Sequence, residues 1–455
     1  MKVDASIFKA YDIRRVVDRT LTEDAVRAVG RVLGTMAHDE GVMRFCVGRD
    51  GRLSGERLQN ALVEGIASTG IDVLDVGAVP TPVLYYATKY FDCGTGVAVT
   101  GSHNPPEYNC LKMMVAGVTL FADEIQGIRE RIEREHWCVV EKPGRIVRVD
   151  AVAPYVQKAL EGVRLFRQLK VAVVAGNGIA GPTMLRILSK LDVEVIPLYC
   201  DVDGHFPYPH PDPSKPNNLE ALIDEVKKVG ADYGFALDGD GDRLGVVTNA
   251  GEVIYPDRLM MFFADDILRT HPGAQIVYDV KYSCKFVDWV RAKGGEPVIS
   301  PTGHSLVKAK LRETAAPLPA KCRASTSSTT NAGRALTTVC TGSYVCLRFS
   351  REANHRLPFF KNFPTPSIRR KSRSRRKKTG TRRSSPRSRK NVVLPMRNPS
   401  SRFTGYVLSG RTGLRSHVLP IRRPWSSYVS KATRRNRSSA FGSASLPKCF
   451  ASSLL

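Results

Sequence analysis

Two short stretches of this chain hold residue types at spacings that could do chemistry. The first is Thr100-Gly-Ser-His-Asn-Pro-Pro106, which closes the apolar run Val97-Ala-Val99. A serine displayed where a strand ends, beside a glycine that lets a ligand approach the backbone, is where an α/β enzyme places a nucleophile. The same residues also favour an ordinary polar turn. Taken alone, the motif leaves both readings open.

The second is Leu237-Asp-Gly-Asp-Gly-Asp-Arg-Leu244. Carboxylates at i, i+2 and i+4, separated by glycines, can fold into a tight loop that turns three hard oxygens onto one cation. Such a set suits Mg²⁺, which prefers oxygen donors and keeps water or phosphate in its remaining positions. A calcium EF-hand loop starting at Asp238 would need Gly at its sixth position and Glu at its twelfth, where the chain has Arg243 and Asn249. A solvated acidic turn is the plainer alternative; apolar runs on both sides, Gly234–Leu237 and Leu244–Val247, argue against it. A cation and a serine that can take or give phosphate make one system, because the metal neutralises the transferred group and holds it in line.

The elements that must position these motifs alternate between strand and helix signals. Thr20-Leu-Thr-Glu23 fits a capping box, and Val26, Val29, Leu33 and Met36 then repeat at helical spacing. Strands are expected at 44–48, 71–77 and 96–100, with a helix face of Leu58, Ala61, Leu62 and Ile66 between the first two, stopped by Gly70. The cycle restarts at Lys170–Gly176, with a helix after Gly181 and a strand at Val193–Leu198. It restarts again at Gln275–Asp279, with a helix about Phe286–Lys293 and a strand at Glu296–Ser300. This alternation predicts α/β domains with largely parallel sheets. Three restarts predict three similar units, the third incomplete.

Together the two motifs resemble the α-D-phosphohexomutases, most closely the bacterial phosphomannomutase/phosphoglucomutase branch. The likeness extends to Phe8-Lys-Ala-Tyr-Asp-Ile-Arg14, Val47-Gly-Arg-Asp-Gly-Arg52, Tyr108-Asn-Cys-Leu-Lys112, Asp203–Pro207 with His210–Pro213, Asp279-Val-Lys281 and Gly303-His-Ser305. It covers residues 5–318 in order. It implies three-layer α/β domains with mixed, largely parallel sheets: a phosphoserine domain at 1–148, a Mg²⁺-loop domain at 149–250, and part of a sugar-binding domain at 251–318.

The resemblance implies that Ser102 is a phosphoserine that hands its phosphate to mannose or glucose 1- or 6-phosphate. The bisphosphate then reorients and returns its other phosphate. Asp238, Asp240 and Asp242 would hold Mg²⁺ together with the Ser102 phosphate. Arg14, His103 and Lys112 would surround the serine, with His103 or Lys112 transferring a proton. Arg243 would orient the loop, and Lys281 and His304 would reach the sugar. For Arg14, Lys281 and His304 a plain surface ion pair is the competing reading. Arg15 and Cys110 stand where the family usually has glycine, and a side chain there could strain the pocket.

Near Leu318 the composition changes. Residues 319–455 carry 31 Lys and Arg against one acid, Glu352, whereas 1–318 carry 38 basic and 42 acidic residues. The family's next sugar loop, Gly-Glu-Met-Ser-Gly-His, and its final phosphate-binding Arg-x-Ser-Asn-Thr loop are both missing. Pro319–Ala324 can be encoded so that a shifted frame reads Gly-Glu-Met-Ser-Gly, and Thr330–Gly333 then yields Glu-Arg-Trp. The expectation is therefore a frameshift at this point and a disordered basic tail. The rival reading is a nucleic-acid-binding arm, but the tail shows few aromatics in its charged run and no binding fold. A catalytically dead truncated mutase with a nonspecifically sticky tail is the alternative function.

Ten cysteines occur without a Cys-x-x-Cys pair, which leaves zinc and redox motifs unsupported. The N-terminus has no apolar stretch behind its charge, and no apolar run of about 18 residues exists. A cytoplasmic monomer with no membrane contact and no specific nucleic-acid partner is expected.

Overall fold

The computed structural model describes residues 3–314 and 318–320, apart from Gly162, Pro209 and His210. For His304, Lys308, Arg312 and 318–320 it describes the backbone alone. Residues 321–455, and with them the expected basic tail, lie outside the described residues.

The first unit comprises β1 (Ile13–Val16), α1 (Glu23–Asp39), β2 (Arg44–Arg49), α2 (Gly55–Ala67), β3 (Asp72–Ala78), α3 (Thr81–Tyr90), β4 (Gly96–Val99), β5 (Tyr108–Val115), β6 (Val118–Thr119), α4 (Asp123–Glu133) and β7 (Ile146–Arg148). Its sheet runs β1-β5-β4-β2-β3-β7, with β6 paired to β5. The β2, β3, β4 and β7 neighbours are parallel, while β5 is antiparallel to β1, β4 and β6. Period-2 alternation explains the layers: Phe45, Val47, Val97 and Val99 pack under α1, α2 and α4, whereas Cys46 and Ala98 face α3. Because both faces are covered, the strands read as continuous apolar runs.

Helix α1 begins differently from the capping-box expectation. Thr22, not Thr20, is its N-cap, accepting the Ala25 amide at 3.3 Å. Thr20 instead sits in the turn before it, its amide donating to the Val16 carbonyl.

The second unit holds α5 (Val152–Leu160), β8 (Leu169–Val174), α6 (Ala180–Leu188), β9 (Val193–Leu198), α7 (Glu220–Val229), β10 (Tyr233–Leu237), β11 (Leu244–Thr248) and β12 (Val253–Ile254). The sheet order is β12-β11-β10-β8-β9. Here β8 is parallel to β9 and β10, and β10–β11 is an antiparallel hairpin closed by the acidic loop. Val171, Val173 and Phe235 face α5 and α6, while Ala172 and Ala236 face α7.

The third unit holds α8 (Pro256–Thr270), β13 (Gln275–Asp279), α9 (Cys284–Ala292), β14 (Glu296–Ser300), α10 (His304–Thr314) and β15 (Leu318–Ala320). Its sheet, β14-β13-β15, is parallel throughout. Ile276 packs toward α8 and α9, and Val277 toward Val307 and Leu311 of α10. Three α/β domains with mixed, largely parallel sheets are thus what the chain forms. Among the described residues, no helix is long and apolar enough to cross a membrane.

Candidate active site

Ser102 sits in the loop from β4 to β5 with a left-handed backbone (φ +48°). A serine held there costs on the order of 1–3 kcal/mol and persists only where its surroundings impose it. Its amide donates to Thr100 Oγ1 at 2.9 Å, and its side chain is nearly enclosed. The hydroxyl donates to Asp238 Oδ2 at 2.9 Å and lies 3.2 Å from His103 Nδ1. The two sequence motifs, 136 residues apart, therefore meet at one oxygen.

The β10–β11 loop is built to make that contact. Asp238 Oδ1 accepts the amides of Asp242 and Arg243 at 2.9 and 3.0 Å, which folds the loop over its own first carboxylate. Gly239 passes so close to the Ser102 carbonyl oxygen that a Cβ would collide with it. Asp238, Asp240 and Asp242 each bring a carboxylate oxygen within 4.8 Å of the others. Burial, then Asp242 and Asp240, push the Asp238 carboxyl well above the ordinary range. Three crowded carboxylates of this kind call for a cation.

Lys112, on β5, supplies one positive charge. Its Nζ donates to Asp240 Oδ2 at 2.5 Å and to Asp242 Oδ2 at 2.8 Å. Burial disfavours the ammonium, but Asp240 and Asp242 outweigh it and hold its pKa well above the usual value. One oxygen is left over: Asp240 Oδ1 is buried without a hydrogen-bond partner. A buried, unpartnered carboxylate oxygen beside two further carboxylates fits a hard divalent cation.

His103 and Arg243 close the other side. Arg243 Nη1 donates to Asp212 Oδ1 at 3.3 Å, Nε lies 3.6 Å from Asp238, and Nη2 lies 3.4 Å from His103 Nε2. An arginine can only donate, so this contact assigns Nε2 as the acceptor and places the His103 proton on Nδ1, toward Ser102 Oγ. Burial and the Arg243 charge push the His103 pKa down to about 4, so the ring is neutral at pH 7.

The other expected site residues lie on β1 and in the third unit. Arg14 lies on β1, opposite Cys110 of β5, and its guanidinium pairs with Asp12 at 3.7 Å. Lys281 is exposed after β13, its amide donating to Asp279 Oδ1. The His304 side chain and His210 lie outside the described residues. The loop around His304 does lean on the first unit: a Cβ on Gly303 would meet Tyr11 at 3.0 Å, and Ser305 Oγ reaches the Leu120 carbonyl at 3.5 Å.

Arg15 and Cys110, the two departures from glycine, pair opposite Asn109 and Arg14 in regular antiparallel strands. Neither is among the described residues with positive φ. Their backbone is therefore not of the kind that demands glycine, since extended backbone accepts any side chain, while the Cys110 thiol lies close against the Thr100 carbonyl at 2.7 Å. Sequence reasoning passed over Asp50, Arg52, Thr81 and Asp212, although all but Thr81 lie within the quoted loops. What they support becomes visible only once residues 100–108 and 238–243 are placed beside them.

A serine and an acidic cation loop brought together where two α/β domains meet define a multidomain α/β enzyme with its site at the junction. Family models for phosphoglucomutase/phosphomannomutase alpha/beta/alpha domains I, II and III match residues 5–137, 153–251 and 255–320. The phosphomannomutase/phosphoglucomutase of Pseudomonas aeruginosa is 48% identical over 312 residues, covering 69% of this chain and 67% of that protein. The phosphoglucomutase of Neisseria gonorrhoeae is 44% identical, covering 69% and 68%. A crystal structure of a phosphoglucomutase/phosphomannomutase family protein from Burkholderia thailandensis superposes with a TM-score of 0.73 at 43% identity, covering 77% of this chain and 78% of that one. The chain belongs to the phosphoglucomutase/phosphomannomutase family, the phosphohexomutase enzymes, and spans about two thirds of the length of its curated relatives.

Proposed function

We propose that the chain interconverts hexose 1-phosphate and hexose 6-phosphate, of mannose or glucose, through a phosphorylated Ser102. The observation that carries this is the 2.9 Å hydrogen bond from Ser102 Oγ to Asp238, which sets a nucleophilic oxygen at the edge of a three-carboxylate cation site. In the forward half-reaction the free hydroxyl of a hexose phosphate attacks the phosphorus on Ser102. The P–Oγ bond breaks, a P–O bond to the sugar forms, and the hydroxyl proton ends on Ser102 Oγ. The resulting hexose 1,6-bisphosphate turns over, and its other phosphoryl group returns to Oγ by the reverse step.

Asp238, Asp240 and Asp242 would hold Mg²⁺, which when bound neutralises charge on the transferred phosphoryl group. His103 orients Oγ to receive that proton, its Nδ1–H pointing at the oxygen from 3.2 Å. Lys112 remains an ammonium and stabilises negative charge beside Asp240 and Asp242. Arg243 holds His103 and Asp212 in place. Arg14 stands by the phosphoserine, Lys281 and His304 reach the sugar, and the packing of the Gly303 loop on Tyr11 supports an approach from the third unit.

The composition break at Leu318 supports a shifted reading frame beyond it, so that the native protein continues into the missing sugar loop and last phosphate clamp. The nucleotide sequence across codons 310–335 tests this directly. The coverage of about two thirds also supports a second reading, a chain that folds as a mutase fragment without turnover. A coupled mutase assay decides: turnover above a Ser102→Ala control is the expected result, and equal rates would leave only the inactive reading.

A further inference from the structure

We propose that Asp50 and Arg52, in the loop between β2 and α2, form a positioning pair that fixes Ser102 for phosphoryl transfer; this rests on the phosphoserine reading above. Arg52 is fully buried, and all five of its N–H donors are used. Nε donates to Asp50 Oδ2 at 3.1 Å, Nη1 to the carbonyls of Pro105 (2.5 Å) and Tyr108 (3.0 Å), and Nη2 to those of Ser102 (3.0 Å) and Asn104 (2.6 Å). One guanidinium thus holds four carbonyls of the serine loop.

Asp50 is equally committed. Its carboxylate accepts the Arg52 amide at 3.0 Å, the Arg52 Nε, the Thr100 hydroxyl at 2.7 Å and the Gly101 amide at 3.0 Å. Thr100 passes the restraint on, since its hydroxyl oxygen also accepts the Ser102 amide. The pair therefore grips the residues on both sides of a serine whose φ of +48° is unfavourable. Gly101 is needed because Arg52 lies against it: a Cβ there would collide with the guanidinium carbon. From the second unit, the Phe206 ring approaches the same guanidinium at 5.1 Å.

With every donor and acceptor satisfied inside the loop, the pair has nothing left for substrate or metal. Its role is positioning, exerted through the Ser102 backbone. A lysine at 52 keeps the charge but offers three donors from one point and cannot span four carbonyls. Arg52→Lys should therefore slow transfer to Ser102 without weakening sugar binding.

The test uses the full chain, the variants Arg52→Lys and Thr100→Val, and glucose 1,6-bisphosphate with Mg²⁺ as phosphoryl donor. Phosphorylation of Ser102 is followed by intact mass and peptide mapping, with the folded fraction of each sample measured by thermal unfolding. Both variants are expected to lower the labelling rate per folded molecule by about tenfold or more, since misplacing a reacting group by ~1 Å can cost on the order of 10²-fold. The bisphosphate concentration for half-maximal rate should stay within about twofold of the parent, because uniform binding is untouched. Thr100→Val removes only a hydroxyl, so it reports even if Arg52→Lys fails to fold. Labelling per folded molecule equal to the parent in the folded variants would overturn the positioning role alone. No labelling of the parent chain would overturn the phosphoserine reading and this inference with it.

Discussion

Thr81 holds Asp240 twice, its hydroxyl donating to Oδ2 at 2.5 Å and its amide to the carbonyl at 3.0 Å. The first residue of α3 in one domain thereby fixes the middle carboxylate of the next domain's acidic loop. The hydroxyl and Lys112 both engage Oδ2, and Oδ1 is left without a hydrogen-bond partner. Thr81→Val keeps the amide bond and deletes the hydroxyl. It should cost about 1–2 kcal/mol of stability in denaturant unfolding. Mg²⁺ affinity, read by calorimetric titration, should fall by about tenfold, as expected for loss of a group that orients a ligand.

Lys112 stands between Asp240 and Asp242 in a buried site. Replacing it by methionine leaves those carboxylates facing one another without a cation. In chelator, Lys112→Met should therefore lose about 3–5 kcal/mol of stability, the cost of breaking a buried ion pair from one side. Millimolar Mg²⁺ should recover part of that loss, and more than it adds to the parent chain. A thermal-shift comparison with and without Mg²⁺ checks the sign; equal shifts would refute the larger gain in the variant, and no shift in either chain would refute a cation site at the three aspartates.

Cys110 fills a strand position and directs its thiol to the Thr100 carbonyl at 2.7 Å. Its backbone is not of the positive-φ kind, so Cys110→Gly should weaken β5, by roughly 0.5–1 kcal/mol for the glycine entropy plus the lost side-chain burial. Mutase turnover per folded molecule should be unchanged. A gain in activity on this substitution would show that the thiol does disturb the serine loop.

Asp12 gives a pH dependence whose sign can be worked out. Burial raises its pKa above the ordinary 3.8, against opposing pulls from Arg14, Lys112 and Lys9, and its Oδ1 is buried without a hydrogen-bond partner, 3.7 Å from Arg14 Nε. A raised carboxyl pKa means the folded state binds the proton more tightly than the unfolded chain. The stability associated with that proton is fully present below the unfolded value and is lost as pH rises through the folded one. Asp12→Asn removes this dependence. Its thermal midpoint should exceed the parent's at pH 7–8, and the difference should shrink as the pH approaches 4.

Much of the fold is legible in the residues. The strands expected at Val193–Leu198, Gln275–Asp279 and Glu296–Ser300 form with those bounds, because short apolar runs between turn formers carry a local period. Strand β5 is harder to read. Tyr-Asn-Cys-Leu-Lys-Met-Met-Val places a buried asparagine and a buried lysine inside a strand, and each is acceptable only because a distant partner receives it: Ser54 for Asn109, the aspartates for Lys112. The Thr20 cap fails for a smaller reason, since Thr22 lies nearer the helix and takes the role.

By itself the sequence determined which residues could do chemistry: Ser102 on its turn, and Asp238, Asp240 and Asp242 on theirs. Residue type, glycine spacing and flanking strands are local properties, so they survive without a fold. Only the tertiary structure decided that Ser102 and Asp238 share a hydrogen bond, that Arg14 turns to Asp12, and that Asp50, Arg52 and Thr81 hold the two loops in place. Apart from the Arg14–Asp12 pair, those contacts join residues from about 50 to nearly 160 positions apart. They form where buried donors and acceptors must find one another once α/β layers close around them, and no local pattern announces that requirement.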